Sequence, residues 1–81
     1  MLFLVEYDRS RGSVARLTTF NDAEREAAEN DRLALELKRH QQGIKTEIVL
    51  LEAASEDDLR RTHRRYFENL EEIAKSSARS T

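Results

Sequence analysis

The stretch Leu2-Phe3-Leu4-Val5-Glu6-Tyr7 decides the fold. It is a short apolar run rich in β-formers, and in a strand successive side chains point to opposite faces. Leu2 and Leu4 therefore share one face, while Phe3, Val5 and Tyr7 share the other. Both faces of a sheet built around this strand need apolar cover. A second run, Ile48-Val49-Leu50-Leu51, is too short for a helix and has the same two-faced character, so residues 45–53 read as another strand.

Between these runs the punctuation is clear. Asp8-Arg9-Ser10-Arg11-Gly12 reads as a turn, and Ser13 to Phe20 supplies the return strand of a hairpin, its mixed polarity suiting a sheet edge. Asn21 is placed to cap a helix over residues 22–42, with Glu24 at the reciprocal capping-box position. Gly43 ends that helix, since glycine accepts the left-handed conformation a helix terminus needs. Ser55 caps a second helix, whose first turn Glu56-Asp57-Asp58 places carboxylates at the positive end of the helix dipole. That helix is expected to run to about Ala74, leaving Lys75 to Thr81 as a Ser-rich flexible tail.

The order is ββαβα, an α+β class. With the first strand central the sheet has order 2-1-3 and is antiparallel throughout, and both helices are expected to pack on one face. The opposite face would then stand apolar and bare, which marks an oligomer or partner contact. One helix on each face is the competing arrangement. On a helical projection the second helix presents Leu59, His63, Tyr66, Leu70 and Ile73, with Phe67 and Ala74 beside them, as its sheet-facing stripe. The first helix offers Ala23, Ala27, Leu33, Ala34 and Leu37, with Ala28 and Leu35 left on its far side.

At 81 residues the chain reads as one domain, residues 1–74, with a core small enough that a partner would add to its stability. Cysteine is absent, so disulfides and Cys-ligated metal are excluded. The apolar start stops at Glu6 with no basic region before it, which makes a cytoplasmic location the expectation and a membrane span unsupported. Fourteen basic and 16 acidic side chains nearly cancel to −2, so bulk attraction to nucleic acid or anionic membrane is not indicated.

The densest functional-looking segment is Arg60-Arg61-Thr62-His63-Arg64-Arg65-Tyr66-Phe67. Guanidinium forks at Arg60, Arg61, Arg64 and Arg65, with Arg9 and Arg11, match phosphate oxygens, and the aromatics offer stacking surfaces. The projection sends Tyr66 into the apolar stripe, however, while the arginines spread over the solvent side. Glu56, Asp57 and Glu68 lie four residues from Arg60, Arg61 and Arg64, and such pairing accounts for three of the four.

His63 stands in the apolar stripe with an unperturbed pKa near neutrality, so it is the one candidate functional histidine, and Glu6 or Glu52 could orient it. His40 sits where a protonated imidazole would suit the helix C-terminus. The two histidines lack the short spacing that builds half a metal site on one helix, and the only glycines, Gly12 and Gly43, cannot make a phosphate-cradling loop. No Gly-x-Ser-x-Gly elbow is present, and Tyr7 is read as packing its ring. No catalytic residue, metal or cofactor is therefore assigned. The leading reading is a small noncatalytic protein-interaction or regulatory module, a homodimer or an adaptor. The alternatives are a nucleic-acid or phosphate-ligand binder using the Arg-rich helix, and a small enzyme centred on His63.

Overall fold

A computed structural model describes residues 1–67. Strand β1 (Leu2–Asp8) is central, bonded on one side to β2 (Ser13–Phe20) and on the other to β3 (Glu47–Glu52). Both pairings are antiparallel, so the sheet has the expected order β2-β1-β3 and the expected α+β class. The hairpin turn is built by Asp8, whose carboxylate accepts the Ser10 N–H at 2.9 Å and the Ser10 hydroxyl at 2.6 Å. Gly12, at φ 66°, closes it by donating its N–H to the Asp8 carbonyl at 2.8 Å. A bulge interrupts β2: Glu6 lies opposite Arg16 and Tyr7 opposite Val14, leaving Ala15 without a cross-strand partner.

A 3-10 turn (Asp22–Glu24) leads into α1 (Arg25–Gln42). The Glu24 carboxylate accepts the Asn21 N–H at 2.9 Å, the reciprocal bond expected of a capping box. At the far end Gly43 adopts φ 70°, and the N–H groups of Gly43 and Ile44 satisfy the carbonyls of His40 and Arg39. Ser55 caps α2 (Glu56–Thr62), its hydroxyl accepting the Asp58 N–H at 3.1 Å.

The helices lie on opposite faces of the sheet, correcting the expectation of one shared face. Leu2, Leu4 and Phe20 form a core with Ala28 and Leu35 of α1, against which Ile48 and Leu50 pack. On the other face Phe3 and Val5 meet Leu59 of α2 and Tyr66 of α3 (Arg64–Phe67), with Val49 and Leu51 partly buried beside them. Each alternating set of β1 thus has its own helical cover, and no sheet face of this central strand stands bare.

The orientation of α1 is the second correction. Ala28 and Leu35 face the sheet, whereas Leu33 and Leu37 are 56% and 59% exposed and Ala23, Ala27 and Ala34 are exposed as well. The reason lies in the strand below, because Glu6 points to the α1 face and is buried at 2% exposure. Placing Leu35 inward brings Arg39 one turn later onto that carboxylate. Turning the helix to bury Leu33 and Leu37 instead would gain roughly one leucine's worth of burial, ~2 kcal/mol. It would leave Glu6 without its cation, at a cost of about 3–5 kcal/mol for a broken buried pair. The ion pair decides.

The second helix is also not continuous. It breaks at His63 (φ −121°, ψ 50°), whose N–H donates to Leu59 and whose carbonyl accepts the Tyr66 N–H at 3.1 Å, starting α3. Thr62 donates its hydroxyl to the Asp58 carbonyl at 2.8 Å, a back-bond that competes with the helix ladder and bends it. The expected continuation to Ala74, with Leu70, Ile73 and the tail from Lys75, lies outside the described residues.

Candidate functional site

Two carboxylates at the hairpin end of the sheet organise the charged side chains, one on each face. On the α1 face Glu6 receives Arg39 Nε–H at 2.5 Å and Nη2–H at 3.0 Å, and the Thr46 hydroxyl at 2.8 Å. These donors hold the Glu6 carboxyl below the usual carboxylate range, the Arg39 hydrogen bond outweighing the opposing effect of burial. On the other face Glu47 accepts Arg9 at 3.1 Å, Arg65 at 2.6 Å and a short hydrogen bond from the Tyr66 hydroxyl. The Tyr66 bond is the main reason the Glu47 carboxyl is lowered, while burial pushes the Tyr66 hydroxyl up. Tyr7 meets Tyr66 edge-on, ring centroids 5.4 Å apart, so its ring packs as expected.

Neither carboxylate touches His63. Glu6 is committed to Arg39, and Glu52, the other proposed partner, pairs with Arg25 at 3.0 Å. His63 itself is half-buried at the break between α2 and α3, and no hydrogen bond or ion pair of its imidazole occurs among the described residues. No set of three or more His, Asp or Glu side chains among the described residues converges as metal ligands would.

The four arginines do not share a site. Arg60 reaches Glu56 at 3.8 Å and stacks on the Phe67 ring at 4.7 Å; Arg61 bonds Asp58 at 2.5 Å, three residues back rather than the expected Asp57. Arg64 begins α3 and is exposed, its expected partner Glu68 lying outside the described residues. Arg65 lies over the Tyr66 ring at 4.2 Å on its way to Glu47. Charges and aromatics therefore meet, contrary to the projection, but as cation–π pairs within the chain. Arg9 and Arg65 do come together from the hairpin and α3, with a carboxylate between them. Glu47 carried no signal of this in the sequence, because a glutamate opening an apolar strand looks like any solvated strand end.

Among the described residues, two surfaces stand out for contact with other molecules. The first is the outward side of α1, where Leu33 and Leu37 are exposed. The second is the outer edge of β3. Ala53 donates its N–H to the Met1 carbonyl at 3.1 Å, which fixes the alternation of the β1–β3 ladder. Leu51, Val49 and Glu47 direct their backbone groups at β1, so Ile48, Leu50 and Glu52 direct theirs outward. No strand among the described residues pairs with that edge, and its four consecutive aliphatics are each only half-buried. The opposite edge, β2, is interrupted by its Ala15 bulge and carries Arg16, both devices that oppose edge pairing.

No described helix is long and apolar enough to cross a membrane. Compared with protein-family models, curated proteins and solved structures, the chain matches none.

Proposed function

We propose that this chain is a noncatalytic cytoplasmic protein-interaction module that self-associates. The observation that carries the reading is the open edge of β3: a row of outward backbone donors and acceptors on four half-buried aliphatics, with neither bulge nor internal charge to protect it. The ground for association is thus an edge, since the sheet face once expected to be bare is covered by α2 and α3. The apolar stripe at Leu33 and Leu37 adds surface suited to contact with protein. Phosphate or nucleic-acid binding gains no comparable support, because Arg60, Arg61 and Arg65 are each directed to a carboxylate of the same chain. Light scattering coupled to size exclusion at tens of micromolar tests the reading. Twice the chain mass is expected, and a strictly monomeric particle overturns it.

A further inference from the structure

We propose that the second copy docks by joining β3 to β3 antiparallel about a two-fold axis at Val49, giving a continuous six-stranded sheet on which the two α1 helices lie side by side. The inference rests on the self-association reading and specifies its geometry.

Three features select this arrangement. The outward amides belong to Ile48, Leu50 and Glu52, so a new antiparallel ladder must bond even-numbered residues to even-numbered residues. That excludes the register opposing Glu47 to Glu52 of the second copy, which would set like charges face to face. With Val49 on the axis, Ile48 lies opposite Leu50 and Val49 opposite its own copy, so three of the four aliphatics face aliphatics, while Leu51 lies opposite the second copy's Glu47.

The helix spacing fits as well. Helix α1 packs over β1 and β3. Its axis therefore lies about half a strand spacing inside β3, and the two-fold axis about half a spacing outside. With strands ~4.8 Å apart, the two copies of α1 come to lie about 10 Å from each other, close to an ordinary helix-packing distance.

The facing sides of these helices are also complementary. Leu35 points at the sheet and Ala34 and Lys38 border β2, so the side of α1 toward the β3 edge carries Arg25, Glu29, Arg32 and Glu36. Arg25 reaches Glu52 at one end of β3, and Arg39 stands by Thr46 at the other, so α1 runs antiparallel to β3 along its length. The midpoint of the charged row, between Glu29 and Arg32, then falls within about one strand residue of the Val49 axis. Two-fold rotation about that point brings Glu29 against Arg32 of the second copy and Arg25 against Glu36. Each contact occurs twice, and all four join opposite charges. Within one chain Arg32 already bonds Glu29 at 3.0 Å and Glu36 at 3.1 Å, so the row is ordered before a partner arrives.

Charge reversal across this seam is the test, with sedimentation equilibrium and native mass spectrometry as readouts. Arg32→Glu opposes two glutamates in its own dimer, and Glu29→Arg opposes two arginines. Each variant is expected to raise the dimer dissociation constant on the order of tenfold. Mixed in equal amounts they restore opposite charges at every contact, so dimers of mixed composition should form at wild-type affinity. Recovery on mixing cannot come from refolding, because the altered helix of each chain is unchanged by the partner. If wild type is itself monomeric, the self-association reading fails and this geometry with it. If wild type dimerises but neither variant weakens the dimer and mixing shows no preference, this geometry is wrong while self-association stands.

Discussion

Arg39, in the last turn of α1, donates two hydrogen bonds to the buried Glu6 carboxylate of β1, at 2.5 and 3.0 Å. This pair sets the rotation of α1 on the sheet and therefore decides which of its apolar residues reach the core. Glu6 has a lowered pKa in the folded chain. Its contribution to stability is full above the unfolded carboxylate value and is lost as pH falls through the folded value. Glu6→Gln should lower stability by about 2 kcal/mol at neutral pH, with the difference from wild type shrinking as pH drops below ~4. Arg39→Met should cost more than Glu6→Gln at neutral pH, because it takes away two of the three hydrogen bonds that the buried charge accepts and leaves it the Thr46 hydroxyl. Urea melts at several pH values check both; a pH-independent difference for Glu6→Gln would mean the charge is not what matters.

The two sides of α1 should respond oppositely to truncation. Leu35→Ala, which empties part of the core shared with Leu2 and Leu4, is expected to cost about 2–4 kcal/mol. Leu33→Ala and Leu37→Ala, made at exposed positions, should each stay within roughly 0.5 kcal/mol. Denaturant midpoints decide, and large losses at Leu33 and Leu37 would put the helix in the other rotation.

Of the four arginines at positions 60, 61, 64 and 65, Arg65 should matter most for stability. It joins Glu47 and covers the Tyr66 ring, while Arg61 makes a single exposed pair with Asp58. Arg65→Ala should lower the thermal midpoint measurably and Arg61→Ala should leave it unchanged. Equal effects would show that the Glu47 cluster adds nothing beyond ordinary surface pairing.

Much of the fold could be read from residue patterns because strands, turns and caps are local. Leu2 to Tyr7 announces a central strand by being apolar on both faces; Gly12, Gly43 and Ser55 each perform the terminating or capping role that their backbone freedom or side chain suits. The rotation of α1 could not be read in this way. Counting apolar residues favours the stripe through Leu33 and Leu37, and only the long-range pairing of Glu6 with Arg39, 33 residues apart, reverses that choice. The same holds for Glu47, whose partners arrive from the hairpin and from α3. The apolar run of β3 is plain in the sequence, and the order 2-1-3 expected there already leaves that strand at a sheet edge.

If β3 completes its hydrogen bonding with a second copy, amide exchange at two neighbouring residues of that strand reports it. Val49 directs its N–H at Val5 within the chain, whereas Leu50 directs its own outward. Measured from low to high micromolar concentration, the Val49 amide should be protected throughout, and protection of the Leu50 amide should rise with concentration as the particle mass doubles. A Leu50 amide that exchanges freely at every concentration, or whose protection does not depend on concentration, would mean that β3 does not pair with a second copy.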